Sequence, residues 1–197
     1  MNSMSFSWHD NSRRFQKDVH AIFGASNYHW INYSDDKMIE TYINSQAKKK
    51  GTELHEIAAG LIKNKIKLPE APLTFNMYVN DGILFDLRPE QQLYYSEWFY
   101  GTADTIGLED GILRISDLKT GKTKPSLHQL EIYAAFWFLE YGLIPEDLER
   151  IELRIYHDND IIVGYPGTEE IIPIMDKITT ITKVLEKLKD REDESYG

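Results

Sequence analysis

The chain has 197 residues, 42% apolar and 12% aromatic, which is long and apolar enough to bury a core and excludes a disordered polymer. Its 22 basic and 32 acidic residues leave a net charge of −10, which argues against a broad basic surface for nucleic acid. The absence of cysteine excludes disulfides, thiolate zinc sites and iron–sulfur clusters, and fits a reducing cytoplasm. No apolar run approaches the ~18–20 residues of a membrane span. The opening MNSMSFSWHDNSRR lacks the apolar stretch of a secretory signal. A cytoplasmic protein without a membrane partner is expected.

Residues 1–34 are aromatic and polar, with a short helix expected around Ser12–Phe23. From Asp35 to about Asn64 the pattern is helical in two stripes, Met38/Ile39/Tyr42/Ile43 and Leu54/Ile57/Ala58/Leu61/Ile62. Gly51-Thr52 is expected to interrupt them, with Thr52 as N-cap of the second helix. Pro69 and Pro72 close this region. Thr74–Val79 and Ile83–Asp86 read as extended segments around an Asn80-Asp81-Gly82 turn. A strand is expected over Gln91–Tyr100. A hairpin follows, turning at Glu109-Asp110-Gly111, where Asp-Gly adopts the positive φ that a tight turn needs. Pro125-Ser126 opens a helix from Ser126 to Tyr141 with Leu130, Tyr133, Ala134, Trp137 and Phe138 inward. Ile151–Tyr156 and Ile161–Tyr165 form a strand pair around Asp158-Asn159-Asp160, and Ile171–Asp190 is a closing helix before a frayed REDESYG tail. With no repeat and no long linker, the expectation is a single α/β domain over 1–197. Its parts are a helical stretch to residue 50, a core over 51–165, and a helix and tail over 166–197.

The chemistry concentrates in GTADTIGLEDGILRISDLKTGK. Leu113, Ile115, Asp117 and Lys119 alternate onto one face of a strand, so Asp117 and Lys119 end a buried run as neighbours. Asp104, on the preceding strand, is within reach of the same point. Two carboxylates and an amine at strand ends can hold a divalent cation and orient a water against a phosphodiester. Gln129 and Tyr133, four residues apart on one helical face, can reach back to these strand ends. His55, near a helix start in GTELHE, is a good ligand for Mn²⁺ if neutral. Basic residues cluster as Lys48–Lys50, Lys63/Lys65/Lys67 and Lys119/Lys122/Lys124. The GKT at Gly121–Thr123 is no nucleotide-binding loop, because Ser116 occupies the position of the required first glycine.

The order G-T-x-L-H-E, P-E-Q, G-T-A-D, D-L-K-T-G and Q-x-x-x-Y resembles the PD-(D/E)XK nuclease superfamily, and within it the RecB-like branch that includes phage recombination exonucleases. The resemblance covers about residues 51–133 and extends to the Ser5-Phe6-Ser7 start. It implies a restriction-endonuclease-like fold, a central mixed β-sheet flanked by helices, and Mg²⁺- or Mn²⁺-dependent DNA cleavage. By position it implies His55, Asp104, Asp117 and the carbonyl of Leu118 as metal ligands. Lys119 would position the attacking water, and Gln129 and Tyr133 would contact DNA or brace the lysine. Lys122 and Lys124 fall on the substrate side. An upstream glutamate is also implied. In one continuous strand Glu90 shares parity with Asp104 and Glu97 does not, which weighs towards Glu90 unless the chain bends at Gly101. The branch's four-cysteine iron–sulfur cluster is impossible here. No helicase motif is present, so a motor would be a separate partner, as would a single-strand annealing or binding protein. A homo-oligomeric ring would supply processivity. The small size favours an exonuclease in recombination, repair or phage DNA processing. The rivals are a structure- or site-specific endonuclease and a non-catalytic DNA-end-binding protein.

Overall fold

A computed structural model describes residues 21–121 and 124–195, with side chains to 191. They fall into two compact units that divide between Lys49 and Lys50. In the first, a 3₁₀ segment over Ala25–Asn32 precedes the first half of helix α1 (Asp35–Lys63). There Trp30 donates its indole N–H to the Gly24 carbonyl at 3.0 Å. The helix expected around Ser12–Phe23 lies outside the described residues except for Ala21–Phe23, which are not helical.

The second unit is an α/β structure around a five-stranded mixed sheet in the order β1 (Arg88–Ser96), β2 (Phe99–Glu109), β3 (Ile112–Leu118), β4 (Arg150–His157), β5 (Asp160–Gly164). Only β3 and β4 run parallel, joined through helix α3 (His128–Tyr141). The strand alternation places Leu113, Ile115, Ile151, Leu153 and Ile155 on one face. They pack there against Leu130, Ala134 and Phe138 of α3 and Ile171, Met175 and Ile178 of α4 (Thr168–Ser195). The opposite face supplies Leu118 and Tyr156 to a smaller core with Ala58 and Ile62 of α1 and Tyr78 and Val79 of α2 (Thr74–Leu84). The two hairpin turns expected from Asp-Gly and Asp-Asn form as read, with positive φ at Asp110 and Gly111 and at Asp158 and Asn159. Helix α3 ends at Gly142, whose φ of +66° is the left-handed C-terminal conformation.

Four expectations change. Helix α1 runs unbroken through Gly51-Thr52, so Thr52 lies inside a helix and is not an N-cap. Gly51 is there for close approach, since a Cβ would come within 2.9 Å of Thr120 Oγ1. Second, the segment read as strands around Asn80-Asp81-Gly82 is helix α2, because each turn-forming residue has a tertiary partner. The Asn80 side chain brackets the Leu68 backbone, accepting from its N–H at 2.9 Å and donating to its carbonyl at 3.0 Å. Asp81 accepts from Tyr156 Oη at 2.6 Å and Arg154 Nη1 at 2.7 Å, and Gly82 lets Ile62 in where a Cβ would lie 2.7 Å from Cδ1. Third, Gln91–Tyr100 is two strands and the turn between them. Last, α4 continues through the expected frayed tail to Ser195.

Asp81 is the polar tie between α2 and strand β4. Asp81→Ala removes the acceptor shared by the half-buried Arg154 guanidinium and the Tyr156 hydroxyl, leaving Arg154 with Glu152 at 3.2 Å and the Tyr156 O–H without its acceptor, and should cost about 1–3 kcal/mol. Asp81→Asn, which keeps an acceptor, should cost less. Denaturant unfolding midpoints of the two variants give the comparison, and equal midpoints would remove Asp81 from this role.

Candidate metal centre

The antiparallel β2–β3 ladder runs from Glu109↔Ile112 to Thr105↔Ser116, and Asp104 and Asp117 are the next residues on each strand. Here Asp104 turns its carboxylate into the ladder: Oδ2 accepts from the Leu118 N–H at 3.0 Å. The same oxygen lies 3.1 Å from His55 Nδ1, delivered by α1. On the other side the β1–β2 pairs Pro89↔Thr105 and Gln91↔Ala103 bracket Glu90 against Asp104. Glu90 has a left-handed φ of +52°, a local irregularity of the kind that re-aims a side chain beside a site. Ligand atoms of His55, Glu90 and Asp104 all lie within 4.8 Å of one another. Two carboxylates and an imidazole so close suit a divalent cation such as Mg²⁺ or Mn²⁺, with Mn²⁺ favoured by the imidazole.

Asp117, expected as a ligand, does not join that group at this radius, but it stands beside it. It is 4% exposed, its Oδ1 accepts from Lys119 Nζ at 3.0 Å, and its buried Oδ2 has no hydrogen-bond partner. Such an orphaned carboxylate oxygen beside two other acids has a ready use as a cation ligand. Lys119 Nζ also donates to Gln129 Oε1 at 3.0 Å, and Gln129 Nε2 lies 3.4 Å from Tyr133 Oη. Tyr133 lies against Gly101, where a Cβ would fall 2.8 Å from ring atom Cε1. The Gln129–Tyr133 element therefore braces the lysine, and the glycine before Asp104 makes room for the brace. Leu118 enters through its amide, its side chain buried in the smaller core.

Electrostatics mark the same place. The hydrogen bond to Asp104 raises the His55 imidazole pKa, against the opposing effect of burial. Desolvation, and then the Asp104 charge, raise the carboxyls of Glu90 and Asp117; Lys119 partly offsets this for Asp117. A residue without a signal in the sequence is Tyr78. Burial, and then the charge of Asp104, raise its phenol far above the ordinary value, while a hydrogen bond to Thr105 pulls the other way. Its segment reads as a strand, and nothing local says that a helix delivers it behind the acids.

The parity argument for Glu90 assumed one strand, whereas the chain reverses at Glu97-Trp98. Glu90 reaches Asp104 through hairpin pairing, and Glu97 is taken up at the turn by Lys189 Nζ at 2.6 Å. Lys124 is exposed in the segment leading to α3. Lys122 and Ser5-Phe6-Ser7 lie outside the described residues. Comparison with protein-family models, curated proteins and solved structures returned no match.

The proton-binding groups give a test. His55, Glu90 and Asp117 all hold protons more tightly folded than unfolded. Their contribution to stability is full below their unfolded pKa values. It is lost as pH rises through the folded ones. A cation replacing those protons reverses the trend. The rise in Tm on adding Mn²⁺ should therefore be larger at about pH 8 than at about pH 5, and smaller in His55→Ala. Equal rises at both pH values would place the ion elsewhere.

Proposed function

We propose that the chain is a metal-dependent deoxyribonuclease of the PD-(D/E)XK type, RecB-like branch, with a restriction-endonuclease-like fold. It would act as an exonuclease in recombination, repair or phage DNA processing. One observation carries the reading: His55, Glu90 and Asp104, drawn from a helix and two strands, meet at one point beside the Asp117–Lys119 pair. This combination of residue types can serve metal-assisted phosphodiester hydrolysis, and it occurs in the chain order that the resemblance implies.

His55, Glu90 and Asp104 would hold the cation, with the free Oδ2 of Asp117 available to it or to a second. A bound Mg²⁺ or Mn²⁺ supplies Lewis acidity, lowering the pKa of water and offsetting charge on the scissile phosphate. Lys119 is held between Asp117 and Gln129, so its ammonium is fixed before substrate arrives. From there it orients the attacking water and stabilises negative charge as it develops on the phosphoryl oxygens. Tyr133 and Gln129 keep that ammonium in place. The net charge of −10 is consistent with this chemistry to the extent that cations offset acids at the site.

Incubation of the purified protein with linear duplex and with a covalently closed circle, in Mg²⁺ or Mn²⁺, separates the readings. Nucleotide release from the linear form alone supports the exonuclease. Nicking of the circle moves the assignment to an endonuclease, and binding without cleavage to an end-binding protein. Asp117→Ala and Lys119→Ala are each expected to lower the rate by about 100-fold or more. Full activity in either variant, with contaminating nuclease excluded, would sink the mechanism.

A further inference from the structure

The two faces of the β1–β2 hairpin differ sharply. On the face towards α3, Leu93 and Ala103 are buried. On the other, Glu90, Gln92 and Tyr94 alternate down β1 beside Asp104, Thr102 and Tyr100 on β2. Gln92 is registered with Thr102 and Tyr94 with Tyr100. All but the half-buried Asp104 are exposed. The result is an open strip three ranks long, acidic at one end and aromatic at the other. The two tyrosine rings are stacked, with centroids 6.2 Å apart and planes 24° from parallel, yet Tyr94 is 56% and Tyr100 64% exposed. Neither belongs to a core cluster. Each is four residues from its acid, about 13 Å along a strand, the span of about four stacked nucleotides.

We infer that the Tyr94–Tyr100 pair is a base-stacking platform for a single DNA strand that runs along the hairpin to the acidic group. This rests on the nuclease reading above. The exposed ring faces decide the occupant. Between tyrosines and acids the strip offers the neutral donors and acceptors of Gln92 and Thr102, and none of its six residues is a cation. A duplex presents phosphates and gains nothing on such a surface. A single strand offers ring faces to the tyrosines and base edges to Gln92 and Thr102, with its phosphates turned to solvent. Pairing of a second copy along edge strand β1 is opposed locally. The Tyr94 amide already donates to Glu140 Oε2 at 3.0 Å, and the Gln91 side chain donates to the Gln92 carbonyl at 2.8 Å.

The test uses the full chain, a twelve-residue oligothymidylate and an abasic oligomer of the same length, with binding followed in Ca²⁺. Tyr94→Ala/Tyr100→Ala should bind oligothymidylate about tenfold or more weakly, and Tyr94→Phe/Tyr100→Phe as wild type does. The abasic oligomer should bind wild type as weakly as oligothymidylate binds the alanine variant. Wild-type affinity should change little between about 50 and 200 mM salt, because stacking releases few counterions. Undiminished binding by an alanine variant with wild-type circular dichroism and Tm, or equal affinity for the abasic oligomer, overturns the platform. Cleavage in Mn²⁺ is scored separately. Tyrosine-dependent binding without cleavage supports the platform and removes the nuclease. Cleavage with an unchanged KM in the alanine variant removes the platform and leaves the nuclease standing.

Discussion

A single carboxylate oxygen, Oδ2 of Asp104, takes the N–H of Leu118 on β3 and faces the Nδ1 of His55 on α1. The rest of the site follows from that meeting. The backbone bond fixes where the β2 acid stands relative to the end of β3, and so relative to Asp117 and Lys119. The imidazole fixes the helix. With Asp104 placed, hairpin register brings Glu90 alongside. Negative charge gathered this way is costly, which is why burial and Asp104 together raise the carboxyls of Glu90 and Asp117. That cost falls on a group of side chains that could hold a cation.

The lysine is handled in the opposite manner. Its ammonium sits between a buried carboxylate and an amide oxygen, and the amide is steadied by a tyrosine that needs a glycine opposite it. Gly101, Asp104, Asp117, Lys119, Gln129 and Tyr133 thus form one mechanical unit spread over two strands and a helix. A side chain at Gly101 would act at a distance, displacing Tyr133 and loosening the lysine without touching an acid.

Much of this was legible in the sequence because it depends on short-range rules. Alternation in β3 put Asp117 and Lys119 at the end of the run through Leu113 and Ile115, and the Asp-Gly and Asp-Asn turns fixed both hairpins. What stayed hidden depends on partners far along the chain. Asn80-Asp81-Gly82 signals a turn unless Leu68, Arg154 and Ile62 are already present. Tyr78 went unseen with it. Glu90 was favoured on a strand parity that the reversal at Glu97-Trp98 voids; its nearness to Asp104 comes from cross-strand pairing instead. Asp117 as a direct ligand was read from its strand position beside Asp104 as well as from the resemblance, and the three-membered group forms without it.

The turn between β4 and β5 reaches across to the start of α2. Thr74 N–H donates to the Asn159 side-chain oxygen at 3.1 Å, and the Asn159 N–H donates to the Thr74 hydroxyl at 2.6 Å. No residue of α2's own approach caps the helix; its cap comes from 85 positions later. A segment with turn chemistry inside it and a borrowed cap outside it has little reason to coil before the far hairpin exists. Helix α2 therefore depends on the far hairpin for its cap, and the placing of Tyr78 depends on it too. A chain truncated before Asn159 would keep the acids and the lysine but lose the cap of the helix that carries Tyr78.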